Sequence, residues 1–321
     1  VVTPMDEENV QVHVPDAPSE RSVQLTNFYR SRVRPLVEGW VPRGVRLHAL
    51  RTITDASGLV RLSRSATTWP ARHGSVRGTW LRARQAHASN GVVLHLHGGG
   101  FVFGSHRSHR VLAHQISRNT EMPVFLPHYR RAPEDPFPAA ADDCLTAYRE
   151  LLDQGIDPGR IRVAGDSAGG HLAACLLADL TRAELPLPAA VALYSPLFDL
   201  SCARLEEMDS TVRDPFLAPA ATRLSCEAYL GETSPDEPRV NVLDADKTAW
   251  PPTLIQVSDS ECLRDDAHRM AASLRAEGVP CELQIWPEQI HVFQAWADLP
   301  EAREANRYAG HFLRRHGTPE M

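Results

Sequence analysis

From residue 92 to the end of the chain, short apolar runs alternate with longer stretches of helical periodicity, and few folds accommodate that order. The strand candidates are Val92–Leu96, Val124–Leu126, Ile161–Ala164, Val191–Tyr194, Thr253–Val257 and Glu282–Trp286. His109–Asn119, Ala139–Asp153, Ala168–Thr181 and Asp265–Glu277 read as helices between them, and Glu301–His316 as a last one. Gly155 and Gly278 stand at helix ends, where a residue tolerant of positive φ closes the final turn. Such repeated alternation predicts an α/β protein with a mostly parallel sheet and helices on both faces. An edge hairpin precedes it: Arg61–Thr68 and Val76–Arg82 are β-leaning runs separated by Pro70 and Gly74.

Two stretches break the pattern. Residues 1–44 are polar, with amphipathic patches at Val23–Tyr29 and Val33–Val37 that read as short helices, separated by Pro35 and ended by Gly39 and Pro42. Residues 200–248 are acidic and Pro-bearing, helix-like at Ala220–Leu230, with no convincing strand. Neither supports a core of its own, so both are expected to form a second layer over the sheet.

At 321 residues the chain is long enough for a large core, and 43% hydrophobic with 23% charged residues is ordinary soluble composition. A net charge of −6 gives no reason to expect nucleic acid or an anionic membrane as partner. No apolar run approaches the ~18 residues of a membrane span, and the acidic N-terminus has no secretory apolar segment. The six cysteines (Cys144, Cys175, Cys202, Cys226, Cys262, Cys281) are widely spaced, without a C-x-x-C pair. They read as small core hydrophobes in a reducing, cytoplasmic setting.

The chemistry centres on Gly165-Asp166-Ser167-Ala168-Gly169-Gly170, placed between the Ile161–Ala164 strand and a helix. G-x-S-x-G in that context is a nucleophile elbow, in which a tight turn flanked by glycines lifts a serine hydroxyl off the strand end. The nearby helix N-terminus favours developing negative charge. His97-Gly98-Gly99-Gly100 follows the Val92–Leu96 strand. Consecutive glycines let backbone N–H groups approach a substrate oxygen, so Gly98, Gly99 and Gly100, with Ala168 after the serine, are the oxyanion-hole candidates. A nucleotide cradle is disfavoured, since no Lys follows the glycines and G-x-G-x-x-G is absent. His95, His106, His109 and His114 show no metal-ligand spacing, so neither metal nor cofactor is expected. After the Thr253–Val257 strand, Asp259 and Glu261 both lie in a loop ahead of Asp265 and Asp266, and the residues alone do not choose between them as an orienting acid.

Three motifs in order resemble the hormone-sensitive-lipase-like family of α/β-hydrolase carboxylesterases. They are His97-Gly-Gly-Gly-Phe101, Tyr129-Arg-Arg-Ala-Pro-Glu134 with Phe137-Pro-Ala-Ala140, and Gly165-Asp-Ser-Ala-Gly-Gly170. The likeness spans about residues 90–296. The resemblance implies an α/β-hydrolase fold with a helical cap: residues 1–44 and 200–248 as cap, 45–199 and 249–321 as core. It implies Ser167 as nucleophile and His291, in Pro287-Glu-Gln-Ile-His-Val-Phe293, as base, because these hydrolases run Ser, acid, His in chain order. Its Asp-Pro-Leu-x-Asp pattern falls on Glu261-Cys-Leu-Arg-Asp265, which puts Glu261 at the acid. Tyr129, Arg130 and Glu134 become a buttress near the site; His128 departs from the family by standing where an Asp usually precedes the tyrosine.

Phe101, Phe103, Asp166, Phe216, Leu217 and Phe293 are the substrate-pocket candidates, for which ordinary packing is the competing reading. The expected activity is hydrolysis of small, short-acyl esters. Rival readings of the same site are a lactone hydrolase or a deacetylase of an acetylated natural product. A non-catalytic receptor on a hydrolase scaffold is the rival of another class; receptors of that kind lose a triad member, and here all three positions are filled. The resemblance also allows a homodimer.

Overall fold

The structure is a computed structural model describing residues 14–39, 44–60 and 66–317. Its centre is an eight-stranded sheet: β1 (Ala66–His73), β2 (Val76–Ala83), β3 (Val92–Leu96), β4 (Val124–Pro127), β5 (Ile161–Asp166), β6 (Ala190–Tyr194), β7 (Thr253–Ser258) and β8 (Cys281–Trp286). The spatial order is β1-β2-β4-β3-β5-β6-β7-β8. Strands β3 to β8 pair in parallel, and β2 joins both β1 and β4 antiparallel.

The helices are α1 (Glu20–Phe28), α2 (Arg34–Glu38), α3 (Gly44–Val60), α4 (Arg110–Thr120), α5 (Ala139–Asp153), α6 (Ala168–Arg182), α7 (Leu205–Val212), α8 (Pro219–Leu230), α9 (Arg264–Ala276) and α10 (Pro300–Arg315). Successive strand residues point to opposite faces, and both faces are covered. Val92, Leu94, Ile161, Val163, Val191 and Leu193 pack under α5, α6 and α9. Val93, Ala164, Ala190, Ala192 and Tyr194 pack under α4 and α10. Burial on both sides is why the parallel strands read as continuous apolar runs.

The sequence reading needs three corrections here. Pro70 lies inside β1, opposite Thr79, and the turn is at Gly74 and Ser75; an outermost strand tolerates a residue without an N–H. Residues 61–65 of the expected first strand fall outside the described residues. Pro35 does not separate two helices, because α1 runs through a π-helical turn over Tyr29–Val33 into α2, whose first turn places no demand on the missing N–H. Gly44–Val60, unassigned by pattern, is a 17-residue helix. Arg51 on α3 donates to Val102 O at 2.8 Å and Ala132 O at 2.9 Å, and pairs with Glu134. Within 200–248 the described backbone is helical or irregular, as expected.

Candidate active site

Four neighbouring strands deliver the site at their carboxyl ends. Ser167 follows β5, Ser195 follows β6, Glu261 lies just past β7 and His291 past β8. Ser167 sits at φ 53, ψ −122, a strained conformation held between β5 and α6. The elbow is tight enough that a Cβ on Gly169 would overlap the Leu96 carbonyl oxygen, so only glycine fits.

Ser167 Oγ lies 2.9 Å from His291 Nε2. The other ring nitrogen, Nδ1, lies 2.6 Å from Glu261 Oε2. Glu261 is fully buried; its Oε1 accepts from Ser258 N–H and from the Ser195 hydroxyl, both at 2.8 Å. Val292 N–H in turn donates to Ser195 Oγ at 3.1 Å, so one serine ties the Glu261 loop to the His291 loop. Burial opposes a charge on His291, but the Glu261 hydrogen bond and the Glu261, Asp214 and Asp166 charges outweigh it and raise the imidazole above its ordinary value. Asp259 faces elsewhere, its Oδ1 accepting from Glu288 N–H at 2.7 Å.

The glycine loop is shaped from below. Gly99 has φ 114 and its carbonyl accepts from Val102 and Phe103 N–H. Among the described residues none accepts from the N–H of Gly99, Gly100 or Ala168. Of the four oxyanion-hole candidates Gly98 is the one that braces the turn: its N–H donates to Asp166 Oδ2 at 3.0 Å and is not free to meet an oxyanion. Asp166 also accepts from His95 Nε2 at 2.9 Å and His109 Nε2 at 3.1 Å. Although burial disfavours its charge, these histidines hold its carboxyl well below the usual range, while the Asp166 charge raises His109 against burial. His97 stacks on Tyr129, whose hydroxyl donates to the His97 carbonyl at 2.7 Å. Arg130 is taken by Asp143 and Glu134 by Arg51, so the Tyr129–Glu134 segment buttresses the loop.

Three pocket candidates are displaced. Asp166 is buried in the network just described. Phe101 is fully buried and stacks on Tyr229 at 3.9 Å, and Phe293 is fully buried against Trp286 at 5.4 Å. With no exposed surface, none of the three lines a substrate cleft. Phe103, Phe216 and Leu217 are half-buried, and Phe216 stacks near-parallel to His291, centroids 6.1 Å apart. Of the histidines weighed as metal ligands, His95 and His109 serve Asp166 and His106 stacks on His128. Sequence reasoning missed Ser195, whose only signal was a polar residue ending the strand beside the elbow. It also missed Asp214, whose Asp-Pro-Phe context reads merely as a turn.

A family model for the α/β-hydrolase fold matches residues 93–295. A crystal structure of an esterase from the bacterial hormone-sensitive lipase family superposes with TM-score 0.84 at 34% identity, covering 94% of this chain and 99% of that one. The chain belongs to the hormone-sensitive-lipase-like family of α/β-hydrolase carboxylesterases. Among this family member's relatives, an acetyl-hydrolase of Streptomyces hygroscopicus is 42% identical over 243 residues, 75% of this chain and 80% of that protein. The structure of EstE5 soaked with p-nitrophenyl butyrate matches at TM-score 0.85 and 32% identity, covering 93% and 99% of the two chains. No described helix of this hydrolase is long and apolar enough to cross a membrane.

Proposed function

We propose that this family member is a serine carboxylesterase acting on small, short-acyl carboxylic esters through an acyl-enzyme. The observation that carries the reading is the unbroken chain from Ser167 Oγ to His291 at 2.9 Å and on to Glu261 at 2.6 Å. His291 Nε2 takes the serine proton as Oγ bonds to the ester carbonyl carbon. The carbonyl oxygen becomes an oxyanion facing the Gly99, Gly100 and Ala168 amides. Glu261 stays ionised, keeps the proton on Nδ1 and stabilises the imidazolium. The imidazolium then protonates the departing alcohol, and a water activated by the same nitrogen releases the acid.

Short acyl chains are supported by two features. Phe216 stands beside His291, and α8 comes so close to the glycine loop that a Cβ on Gly100 would meet Ser225 Cβ at 3.1 Å. Likeness to proteins named acetyl-hydrolase, or soaked with a butyrate ester, points the same way. The acetyl-hydrolase relative also favours a second reading, removal of acetyl groups from an acetylated natural product. In this proposal residues 1–44, with α1 and α2, and the 200–248 segment cap the site, and free cysteines suit a cytoplasmic location. A homodimer belongs to the same reading and is checked by light scattering. The decisive assay is hydrolysis of p-nitrophenyl esters from acetyl to palmitoyl, with Ser167→Ala and acetylated natural products alongside. Activity confined to short chains and lost with Ser167→Ala is expected; a maximum at long chains overturns the acyl preference.

A further inference from the structure

Behind Glu261 stands a second carboxylate that the steps above leave unused. Asp214, between α7 and α8, is fully buried. Its Oδ1 accepts from Phe216 and Leu217 N–H, both at 2.8 Å, and its Oδ2 from Cys262 N–H, next to Glu261, at 3.0 Å. Asp214 is itself fastened. Its N–H donates to Asp209 Oδ1 at 2.9 Å, and its carbonyl accepts from Arg34 Nη1 at 2.6 Å. Arg34, buried on α2, also grips Asp209 with both terminal nitrogens, at 3.0 and 2.8 Å. Asp214 therefore joins three parts: its carboxylate ties the loop that presents Phe216 to His291 to the loop that presents Glu261, and its backbone carbonyl meets Arg34 of the leading helices. All three backbone contacts to its oxygens come from N–H donors, which an ionised carboxylate accommodates and a protonated one would partly forfeit. The charges facing His291 are Glu261, Asp214 and Asp166. Those around Asp214 are Glu261, His291, Arg34 and Asp209, with the Cys262 thiol; burial and the Glu261 charge push the Asp214 carboxyl up, while His291 and the Phe216 and Cys262 N–H donors oppose them.

We propose that Asp214 is a positioning residue of the esterase site: its carboxylate clamps the Glu261 loop, seats Phe216 against His291 and gives the imidazolium a second negative neighbour. The inference rests on the triad reading above. Asp214→Asn keeps the size but turns an amide N–H toward Cys262 N–H, and removes the charge. Losing a charged hydrogen bond here lowers kcat by about 10–100-fold, leaves KM near its original value, and moves the acid limb of kcat/KM to lower pH. Phe216→Leu, which spares the carboxylate, lowers kcat without moving that limb. A folded Asp214→Asn enzyme with the original kcat and acid limb, or with a change confined to KM, overturns the proposal. Arg34→Lys decides the matter if Asp214→Asn does not fold: it keeps the charge but loses the paired grip on Asp209, and loosening Asp214 from outside shifts the limb the same way by a smaller amount; an unmoved limb refutes the clamp. An unsubstituted enzyme without esterase activity would instead sink the triad reading, a distinguishable result.

Discussion

Replacing Glu261 by Gln tests the site at its least obvious member. The two oxygens of Glu261 have different tasks: Oε1 takes two donors, Ser258 N–H and Ser195 Oγ–H, and Oε2 takes the proton of His291 Nδ1. A glutamine must aim its carbonyl one way and its amide the other. Facing the amide toward Ser258 sets two donors against each other in a buried site, at a cost of about 1–3 kcal/mol. Ser195 can turn its second lone pair to the amide, but Ser258 N–H is a fixed backbone donor and has no such choice. The preferred orientation therefore points the amide at Nδ1 and drives the imidazole into the tautomer with its proton on Nε2. That nitrogen then faces Ser167 as a donor and cannot accept the hydroxyl proton. A trapped tautomer of this kind lowers kcat by about 10³–10⁴-fold. Steady-state hydrolysis of p-nitrophenyl acetate measures it, with Asp259→Asn as companion. Asp259 props Glu288 N–H through an oxygen that asparagine retains, so that variant changes kcat little. If Glu261→Gln keeps more than about a tenth of kcat, or Asp259→Asn abolishes turnover, the tautomer argument fails.

In the proposed mechanism the neutral ring of His291 is the base and, against burial, the Glu261 carboxylate beside it raises its pKa, so kcat/KM should climb with pH through a value above that of an ordinary imidazole; a pH–rate profile with its limb at or below that contradicts the electrostatic account. Asp166→Asn removes the charge that pairs with His109 and His95 and should destabilise the fold by about 3–5 kcal/mol at pH 7. Because the folded-state pKa of Asp166 is depressed, its contribution is present above the unfolded carboxylate value and lost as pH falls. The difference between variant and parent in urea titrations should thus shrink below about pH 4, and a constant difference counts against it. Gly169→Ala forces a methyl into the Leu96 carbonyl and should cost about 1–3 kcal/mol, read by thermal denaturation.

The parallel strands were legible to within a residue or two because burial on both faces of β3 to β7 leaves short apolar runs, while the less buried β8 keeps an alternating pattern. The helix over Gly44–Val60 was not, since its described side chains include one buried hydrophobe, Leu47, and its hold on the core runs through Arg51 to backbone carbonyls. Polar anchoring of that kind leaves no periodicity to read. The same holds at the site. Ser167 and the glycines carry their backbone requirements in the motif, and Glu261 and His291 follow from position relative to it. Ser195 meets Glu261 and Val292, and Asp214 reaches Cys262 beyond its own turn at Phe216 and Leu217, so the contacts that give them a part at the site join residues distant in sequence. Phe101 and Phe293 failed as pocket residues for the converse reason: an aromatic beside a motif looks the same whether it turns toward substrate or toward the sheet.

The clasp of Arg34 onto Asp209 has a practical reading for anyone exchanging parts between such enzymes. Arg34 and Asp209 lie 175 positions apart in the chain, yet form one buried ion pair. A chimera that imports a foreign 200–248 segment while keeping the native leading helices would strand a buried guanidinium without the Asp209 carboxylate. Transplants should succeed only when both halves travel together, and selectivity grafted by one half alone should arrive with a fragile protein.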